Sequence, residues 1–322
     1  MSAEQPGTDS GLDQAASAFL ELRPRLFGIA YRMLGSVAEA EDILQEVWLR
    51  WQKTDRTAVV DPPAFLARTT TRLAINLTQS ARARRETYVG PWLPEPVDTS
   101  ADPAVGAERG EALELAVLLL LEKLSPTERA AYILREAFDY PYGEIADILQ
   151  LSTVNTRQIV SRARKHLSAE QREPVDTAEH RRLVEVFLTA ARAGDVAALE
   201  DLFATDIVSY TDGNGIRGAA RIPVAGHTRV AKFIVAFGPR FWPGANLEWV
   251  EANGHPGVLI SRDGTDIALL IIEALPEGIN TLLWVMNPVK LEAFARSRGR
   301  ASARDVTSEG STRPSGTGRC SP

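Results

Sequence analysis

Residues 125–167, SPTERAAYILREAFDYPYGEIADILQLSTVNTRQIVSRARKHL, decide the fold of the central part of the chain. Ser125 followed by Pro126 and Glu128 has the spacing of a capping box, which predicts the start of a helix. The proline-containing segment 139–141 ends that helix, a short helix follows, and a third begins after Ser152 or Thr153. Short helices joined by a tight turn, with a basic last helix, predict a helix-turn-helix.

The last of these helices separates an apolar face from a face of long hydrogen-bond donors, as a recognition helix requires. Arg157 and Gln158 lie in its first turns, the part that usually enters the major groove. A helical hairpin with a solvated basic face is the alternative interpretation. Gln150 occupies the turn where many such motifs have glycine, so a left-handed backbone there would be less favourable. The residues predicted to bind DNA are Asn155, Arg157, Gln158, Ser161, Arg162, Arg164 and Lys165.

Length, charge and cysteine content limit the number of domains and the kinds of site that the chain can have. The chain has 322 residues, 44% of them hydrophobic, and a net charge of −6, which suggests two or three folded domains whose DNA contacts come from local basic faces. Cys320 is its one cysteine, so we expect no disulfide framework and no cysteine metal site. We assign no other metal ligand and no cofactor. The N-terminus lacks a signal pattern and no apolar run is long enough to span a membrane, so we expect a cytoplasmic protein.

Two helices are predicted near the N-terminus. The apolar stripe of the first begins at Ala15, but Pro24 lies inside it, so the real start of the helix is expected near Leu22. The second covers residues 37–51 and points Ile43, Val47 and Trp51 inward. Its other face carries carboxylates, and contact with solvent is a sufficient explanation for such an acidic face. The polar residues of that face are Glu39, Asp42, Gln45 and Glu46.

A further helix is predicted after the turn at residues 61–63. Spaced arginines and a basic end suit a phosphate backbone or a melted strand, with Asn76 and Tyr88 as amide and aromatic groups for bases. A basic surface helix without a ligand is the alternative. The residues predicted to bind DNA here are Arg68, Arg72, Asn76, Arg82, Arg84 and Arg85.

Residues 88–96, YVGPWLPEP, contain three prolines and are therefore expected to be extended. Trp92 and Leu93 would be costly in water, so we expect them to pack against another part of the protein. Residues 97–110 are polar and are predicted to form a flexible linker.

The C-terminal part predicts a third domain over residues 177–296 and a disordered tail over residues 297–322. Two helices precede strands expected near residues 207–210, 217–223, 247–252, 258–262, 267–275 and 281–286, with a helix at residues 230–237. Helices followed by a run of strands are typical of an α+β fold. The fold class is therefore multidomain, with all-α domains followed by an α+β domain.

These segments together resemble one family. Residues 125–167 resemble domain four of bacterial extracytoplasmic-function sigma factors, and residues 26–51, LFGIAYRMLGSVAEAEDILQEVWLRW, are similar to their domain two. The YVGPWLPEP segment is similar to the linker of the subgroup that carries a fused SnoaL-like domain, a nuclear-transport-factor-like cone. DGNGI at residues 212–216 and NPVKL at residues 287–291 resemble the DGGGK and NPDKL motifs of that subgroup. Ile216 replaces the lysine of the first motif, and Arg217 follows it.

The resemblance implies a role for each part. Residues 12–96 would dock on the clamp helices of the beta-prime subunit of core RNA polymerase and capture the melted minus-ten element. The residues that the resemblance implies for polymerase binding are Glu39, Asp42, Gln45 and Glu46. Residues 111–168 would read the minus-thirty-five element of promoter DNA. Residues 177–296 would regulate both in cis, with a possible small ligand in the cone. The residues predicted to join this domain to the rest are Trp92, Leu93, Asp212, Arg217, Asn287 and Lys290.

Two other interpretations stay open: a SnoaL-like enzyme tethered to a DNA-binding arm, and a repressor with a ligand-sensing cone. An Asp–His pair in an apolar cavity could transfer protons. The DGNG sequence is also typical of a simple turn, so no catalytic residue is assigned. A repressor would not need the acidic face of residues 39–46. The groups considered for catalysis are Tyr210, Asp212, His227, His255, Asp263 and Asp266.

Overall fold

The computed structural model describes residues 8–99, 115–168 and 175–308. Its first domain consists of helices α1 (Thr8–Leu34), α2 (Val37–Lys53) and α3 (Pro62–Glu86), with a short 3-10 turn at Arg56–Ala58. Helix α1 passes through Pro24, so the expected start near Leu22 is wrong. Phe19 and Leu26, on either side of the proline, are both buried, and this packing offsets the backbone hydrogen bond that proline removes.

The second domain consists of helices α4 (Leu115–Leu121), α5 (Pro126–Glu136), α6 (Tyr142–Leu149) and α7 (Thr153–Ser168). The capping box between Ser125 and Glu128 is present in full. Gln150 takes the left-handed conformation, φ 57° and ψ 47°, and ends α6. The Leu151 amide then donates to the Ala146 carbonyl at 2.9 Å, which closes the turn into α7. These observations confirm the predicted helix-turn-helix.

The two helical domains pack directly on each other and share one hydrophobic core. Leu34 and Val47 of the first domain belong to the same buried cluster as Leu134 and Val160 of the second. Arg129, 2% exposed, donates from α5 to the Met33 carbonyl of α1 at 2.7 Å. Arg129 also forms an ion pair with Glu122 at 2.7 Å, and this pairing makes burial of the cation at the contact tolerable.

The third domain is α+β, as predicted. Its elements are α8 (Thr177–Ala193), α9 (Val196–Leu202), β1 (Phe203–Asp212), β2 (Val224–Ala225), α10 (His227–Phe241), β3 (Asn246–Ala252), β4 (His255–Arg262), β5 (Thr265–Leu275), β6 (Gly278–Val285) and α11 (Pro288–Ser308). The strands form one sheet in the order β2-β1-β6-β5-β4-β3. Strands β1 and β6 are parallel, and the other neighbours are antiparallel.

Both faces of this sheet are covered because its strands are apolar on both sides. One face packs against α8, α9 and α10, with Phe187 and Trp284 among its buried side chains. The other face packs against α11. Two residues from outside the domain complete that second cluster, Leu93 of the linker and Leu115 of α4. The third domain is therefore built into the rest of the protein through an apolar contact.

Several boundaries differ from the predictions. Residues 217–223 form turns rather than part of a strand, because glycines at 215 and 218 take positive φ, and only β2 pairs there. Residues 97–99 of the predicted flexible linker pair with the third domain, while residues 100–114 lie outside the described part. Helix α11 continues to Ser308, so the prediction of a tail beginning at residue 297 is wrong, and residues 309–322 lie outside the described part.

Candidate functional site: the linker between the domains and the nucleic-acid surfaces

The linker crosses the third domain at a buried ion pair between Asp212, at the end of β1, and Lys290, at the start of α11. Their charged atoms are 2.6 Å apart, and the two side chains are 0% and 6% exposed. Lys290 also donates to the Leu93 carbonyl, and the Leu93 amide donates to Asp212 at 2.8 Å. The linker backbone is thus bound on both sides by one pair of opposite charges.

Tyr88 and Asn287 complete this site, which we call the Asp212 cluster: Tyr88, Leu93, Asp212, Asn287 and Lys290. The Tyr88 hydroxyl donates to the Asp212 carboxylate and accepts from the Asn287 amide at 2.7 Å. Burial, and then the bond to Asp212, raises the pKa of Tyr88. Burial lowers the pKa of Lys290, against the raising effect of the Asp212 carboxylate. The cluster satisfies its charges internally.

The same linker also binds the first domain. Glu95 donates its amide to the Gly35 carbonyl at 2.8 Å and accepts from the Val37 amide at 2.6 Å. Its carboxylate therefore lies at the N-terminus of α2, where the helix dipole favours a negative charge. Gly35 has φ +63°, and a Cβ there would lie 2.7 Å from the Trp92 ring, so only glycine fits beneath the linker.

A second polar contact, at the β3–β4 turn, joins the first domain, the linker and the third domain. The Asn253 side chain donates to the Tyr31 hydroxyl at 2.9 Å and accepts from the Val97 amide at 3.0 Å. Thr99 donates its hydroxyl to the Glu251 carboxylate at 2.7 Å. The linker thus pairs with the free edge of the sheet, a common way for an extended segment to bind.

Trp92 lies between cations from two domains. The Arg85 guanidinium is 3.5 Å from the centroid of its ring, and the Lys290 ammonium is 4.4 Å away. Arg85 also donates to the Glu122 carboxylate of the second domain and to the Leu34 carbonyl. Arg85 was predicted to bind DNA from an exposed surface. In this structure it is instead part of the contact between domains.

The predicted interdomain residues are brought together with one exception. Trp92, Leu93, Asp212, Asn287 and Lys290 meet at the linker. Arg217 does not, because its turn carries the side chain into solvent. Sequence reasoning missed further contact residues, Tyr31, Glu95, Leu115 and Asn253. An Asn–Gly pair such as Asn253–Gly254 is typical of a hairpin turn, and nothing in the sequence links it to Tyr31.

Helix α7 presents its predicted DNA-binding residues largely to solvent. Asn155 is half-buried. Thr156, Val160 and Ala163 are buried and seat the helix on its domain. Arg164 forms an ion pair with Glu136 of α5 at 2.7 Å. The exposed residues are Arg157, Gln158, Ser161, Arg162, Arg164 and Lys165.

Helix α3 exposes part of the set predicted from the sequence. Arg68 and Asn76 are exposed. Arg72 is turned toward the second domain, where its Nε donates to the Ile148 carbonyl at 3.2 Å. This bond places α3 against the helix-turn-helix, so Arg72 is not among the exposed cations. The side chains of Arg82 and Arg84 lie outside the described part of the structure. The Tyr88 ring, predicted for base capture, is engaged in the Asp212 cluster.

On α2, the predicted polymerase-binding face divides into exposed and half-buried residues. Asp42 and Gln45 are exposed, and Glu39 and Glu46 are half-buried. Glu46 forms an ion pair with Arg50 at 2.6 Å. Leu49, 42% exposed, follows Asp42 and Gln45 at helical spacing and adds an apolar group to the same face.

The groups considered for catalysis are spread over several elements of the third domain. Asp212 is fully buried and accepts from Tyr88, Leu93 and Lys290. His255 lies beside His180, with ring centroids 6.4 Å apart. Asp263 occupies the β4–β5 turn, and Asp266 is the second residue of β5.

Two family models match the helical part of the chain, Sigma-70 region 2 over residues 18–85 and Sigma-70, region 4 over residues 114–167. The protein named ECF RNA polymerase sigma factor SigJ of Mycobacterium tuberculosis is 39% identical over 235 residues, which cover 71% of this chain and 74% of that relative. The chain belongs to the extracytoplasmic-function family of RNA polymerase sigma factors. It is a promoter-specificity subunit that binds core RNA polymerase and promoter DNA.

Further similarities extend over the third domain of this sigma factor. The Mycobacterium tuberculosis protein named Probable ECF RNA polymerase sigma factor SigI is 29% identical over 270 residues, which cover 81% of this chain and 90% of the relative. The crystal structure of Mycobacterium tuberculosis SigJ superposes with a TM-score of 0.67 at 33% identity, covering 86% of this chain and 98% of that one. The similarity to the SigJ structure therefore extends into the α+β third domain. No helix in residues 8–99, 115–168 and 175–308 of this sigma factor is long and apolar enough to span a membrane.

Proposed function

We propose that this sigma factor is held in a closed state by its own third domain and must open to initiate transcription. The observation that carries the proposal is the Asp212 cluster, which binds the linker between the two DNA-binding domains through a buried ion pair. In this proposal the third domain regulates promoter binding in cis. Neither a tethered enzyme nor a repressor is needed to account for the three domains.

The geometry of a promoter supports the need for opening. The minus-ten and minus-thirty-five elements are about 25 base pairs apart, and at about 3.4 Å per base pair that is roughly 85 Å along the duplex. In the closed state α3 and the helix-turn-helix touch through Arg72 and Ile148. Two domains that share a core cannot reach both elements together. Separation of the second domain from the first is therefore required for promoter recognition.

The linker couples the closed arrangement of the two helical domains to the third domain. Leu93 is fully buried in a cluster that also contains Leu115 of α4, so the same apolar surface binds the linker and the second domain. Because all parts belong to one chain, each contact forms at a high effective concentration, and weak interfaces are well populated. Loss of the linker contact would loosen the second domain as well.

The three binding roles are assigned from exposure and charge. We propose that Asp42, Gln45 and Leu49 of α2 dock on the clamp helices of the beta-prime subunit. Helix α3, through Arg68 and Asn76, would contact the minus-ten element. Helix α7 would enter the major groove of the minus-thirty-five element with Arg157 and Gln158 leading. A site of action in the cytoplasm follows from the location of bacterial promoter DNA.

We further propose that the third domain regulates without catalysing a reaction. The carboxylate of Asp212 is occupied by three donors from the chain itself, so it is not available to a substrate as a base. Buried indole N–H groups of Trp242 and Trp284 have no partner among the described residues, and a small acceptor-bearing ligand in the cone would satisfy them. Such a ligand would be an input to regulation.

The test is transcription in vitro with core RNA polymerase and a promoter selected by the holoenzyme from a random library. Lys290→Met should raise promoter-dependent transcription, because it releases the linker without deleting the domain. Arg296→Met is the matched control, since Arg296 lies on the same helix, carries the same charge and is 66% exposed. Equal activity of wild type and Lys290→Met, at equal polymerase affinity, would remove the regulatory role. Failure of the wild type to bind core polymerase would contradict the docking role.

A further inference from the structure

One stretch of the third domain has a charge pattern opposite to that of the chain. Residues 213–247 contain no aspartate or glutamate, although the whole protein carries a net charge of −6. Five arginine or lysine residues occur in the same stretch. They are Arg217, Arg221, Arg229, Lys232 and Arg240. A segment that contains these cations and no carboxylate side chain, within an acidic protein, indicates an anionic partner.

The fold brings these residues to one surface, which we call the basic face. All five side chains are exposed. Arg229, Lys232 and Arg240 are spaced by three and eight positions on α10 and therefore share one side of the helix. The turn that carries Arg217 and Arg221 packs on the same helix, where Gly218 faces the ring of Phe237. Within the part of the chain that the structure describes, no carboxylate forms an ion pair with any of the five.

The basic face lies beside the end of α3. Gly215 of the turn faces the Val89 side chain, and Gly90 faces the backbone of Ala220 and Arg221. Val89 and Gly90 are within four residues of Glu86, the last residue of α3. The linker therefore joins the basic turn to the helix on which Arg68 and Asn76 are exposed. Both surfaces stay together as long as the linker remains bound to the third domain.

We propose that the basic face binds the phosphate backbone of duplex DNA and continues the DNA-binding surface of α3. The inference rests on the proposed function of α3, and it gives the third domain a DNA contact of its own. Exposed arginine and lysine side chains would neutralise phosphates without reading bases. An acidic protein surface is the competing partner, and the experiment below separates the two.

The test uses the full-length chain and a mixed-sequence 30-base-pair duplex, with binding measured by fluorescence anisotropy between 50 and 200 mM salt. Arg217→Ala/Arg221→Ala removes two phosphate contacts, each worth about 0.9 in the slope of log K against log salt. Over this fourfold range the wild type should lose about tenfold more affinity than the double variant. The matched control is Arg181→Ala/Arg182→Ala, which removes the same charge near β3, the opposite edge of the sheet.

A charge-retaining variant and a polymerase assay complete the test. Arg217→Lys/Arg221→Lys should keep the wild-type salt dependence, because the phosphate contact needs charge rather than a particular side chain. Three results would overturn the proposal: no duplex binding by the wild type at 50 mM salt, equal salt slopes for the alanine and control pairs, or loss of core-polymerase affinity alone. Duplex binding is measured without polymerase, so its failure is distinct from a failure of the docking role.

Discussion

Replacing Lys290 by Met tests how strongly the third domain holds the linker. The substitution leaves Asp212 buried and charged, with Tyr88 and the Leu93 amide as its remaining donors. Removing one partner of a buried ion pair costs about 3–5 kcal/mol. At about 1.4 kcal/mol per factor of ten, the equilibrium between bound and released linker should shift by roughly a hundredfold to several thousandfold.

Hydrogen exchange of the linker amides measures this shift directly. The Leu93 amide donates to Asp212, and the Val97 amide donates to Asn253, so both are protected while the linker is bound. In Lys290→Met the exchange rate of the Leu93 amide should rise by the same factor as the population of released linker. Amides in the centre of β5, such as that of Leu270, should keep their wild-type rates, since the sheet itself is not altered.

Two controls make the result decisive. Asp212→Asn/Lys290→Met removes both charges and should recover much of the protection, because no unpaired charge stays buried. Arg296→Met should exchange as the wild type does. Unchanged Leu93 exchange in Lys290→Met would refute the reasoning, and so would equal acceleration of Leu93 and Leu270, which would mean that the whole domain had unfolded.

Three further predictions concern the binding faces and the acid stability of the third domain. Arg157→Ala should weaken binding to a matched minus-thirty-five element by about 1–3 kcal/mol more than to a scrambled one, whereas Arg164→Ala should weaken both equally in competition binding. Asp42→Lys/Gln45→Lys should lower the association rate with core polymerase and its salt dependence, measured by biolayer interferometry, while leaving the melting temperature unchanged. Burial lowers the pKa of His180, so the folded state resists a proton that the unfolded state takes up below about pH 6.5. Stability should therefore fall as the pH drops from about 6.5 toward the folded pKa, and His180→Gln should flatten that dependence in denaturant titrations.

Local chemistry in the sequence predicted much of the secondary structure. The Ser125–Glu128 capping box begins α5, the apolar period of α2 identifies its buried face, and the continuous apolar run of β5 is typical of a buried strand. Such signals can be identified in the sequence because they depend on residues that are close in the chain. The course of α1 through Pro24 was not predictable in the same way, since packing on either side offset the local penalty.

The exposed polar faces of the helices were partly predictable for the same reason. Asp42 and Gln45 on α2, and Arg157 and Gln158 on α7, lie on the outer faces that helical periodicity assigns to them. Arg85 shows the limit of that reasoning. Its position in a basic cluster predicted DNA binding, but the folded chain places it over Trp92 and against the second domain.

What the sequence by itself determined is therefore the set of domains, their order and the polar faces of their helices. The resemblance also named most residues of the linker site, but only the tertiary structure decided how they contact one another and which further residues join them. Asp212 and Lys290 are 78 positions apart, and Tyr31 and Asn253 are 222 apart, so no local pattern connects them. The physical reason is that an extended, proline-rich linker cannot satisfy its own backbone groups. Its partners are selected by the surfaces that the three folded domains bring to it.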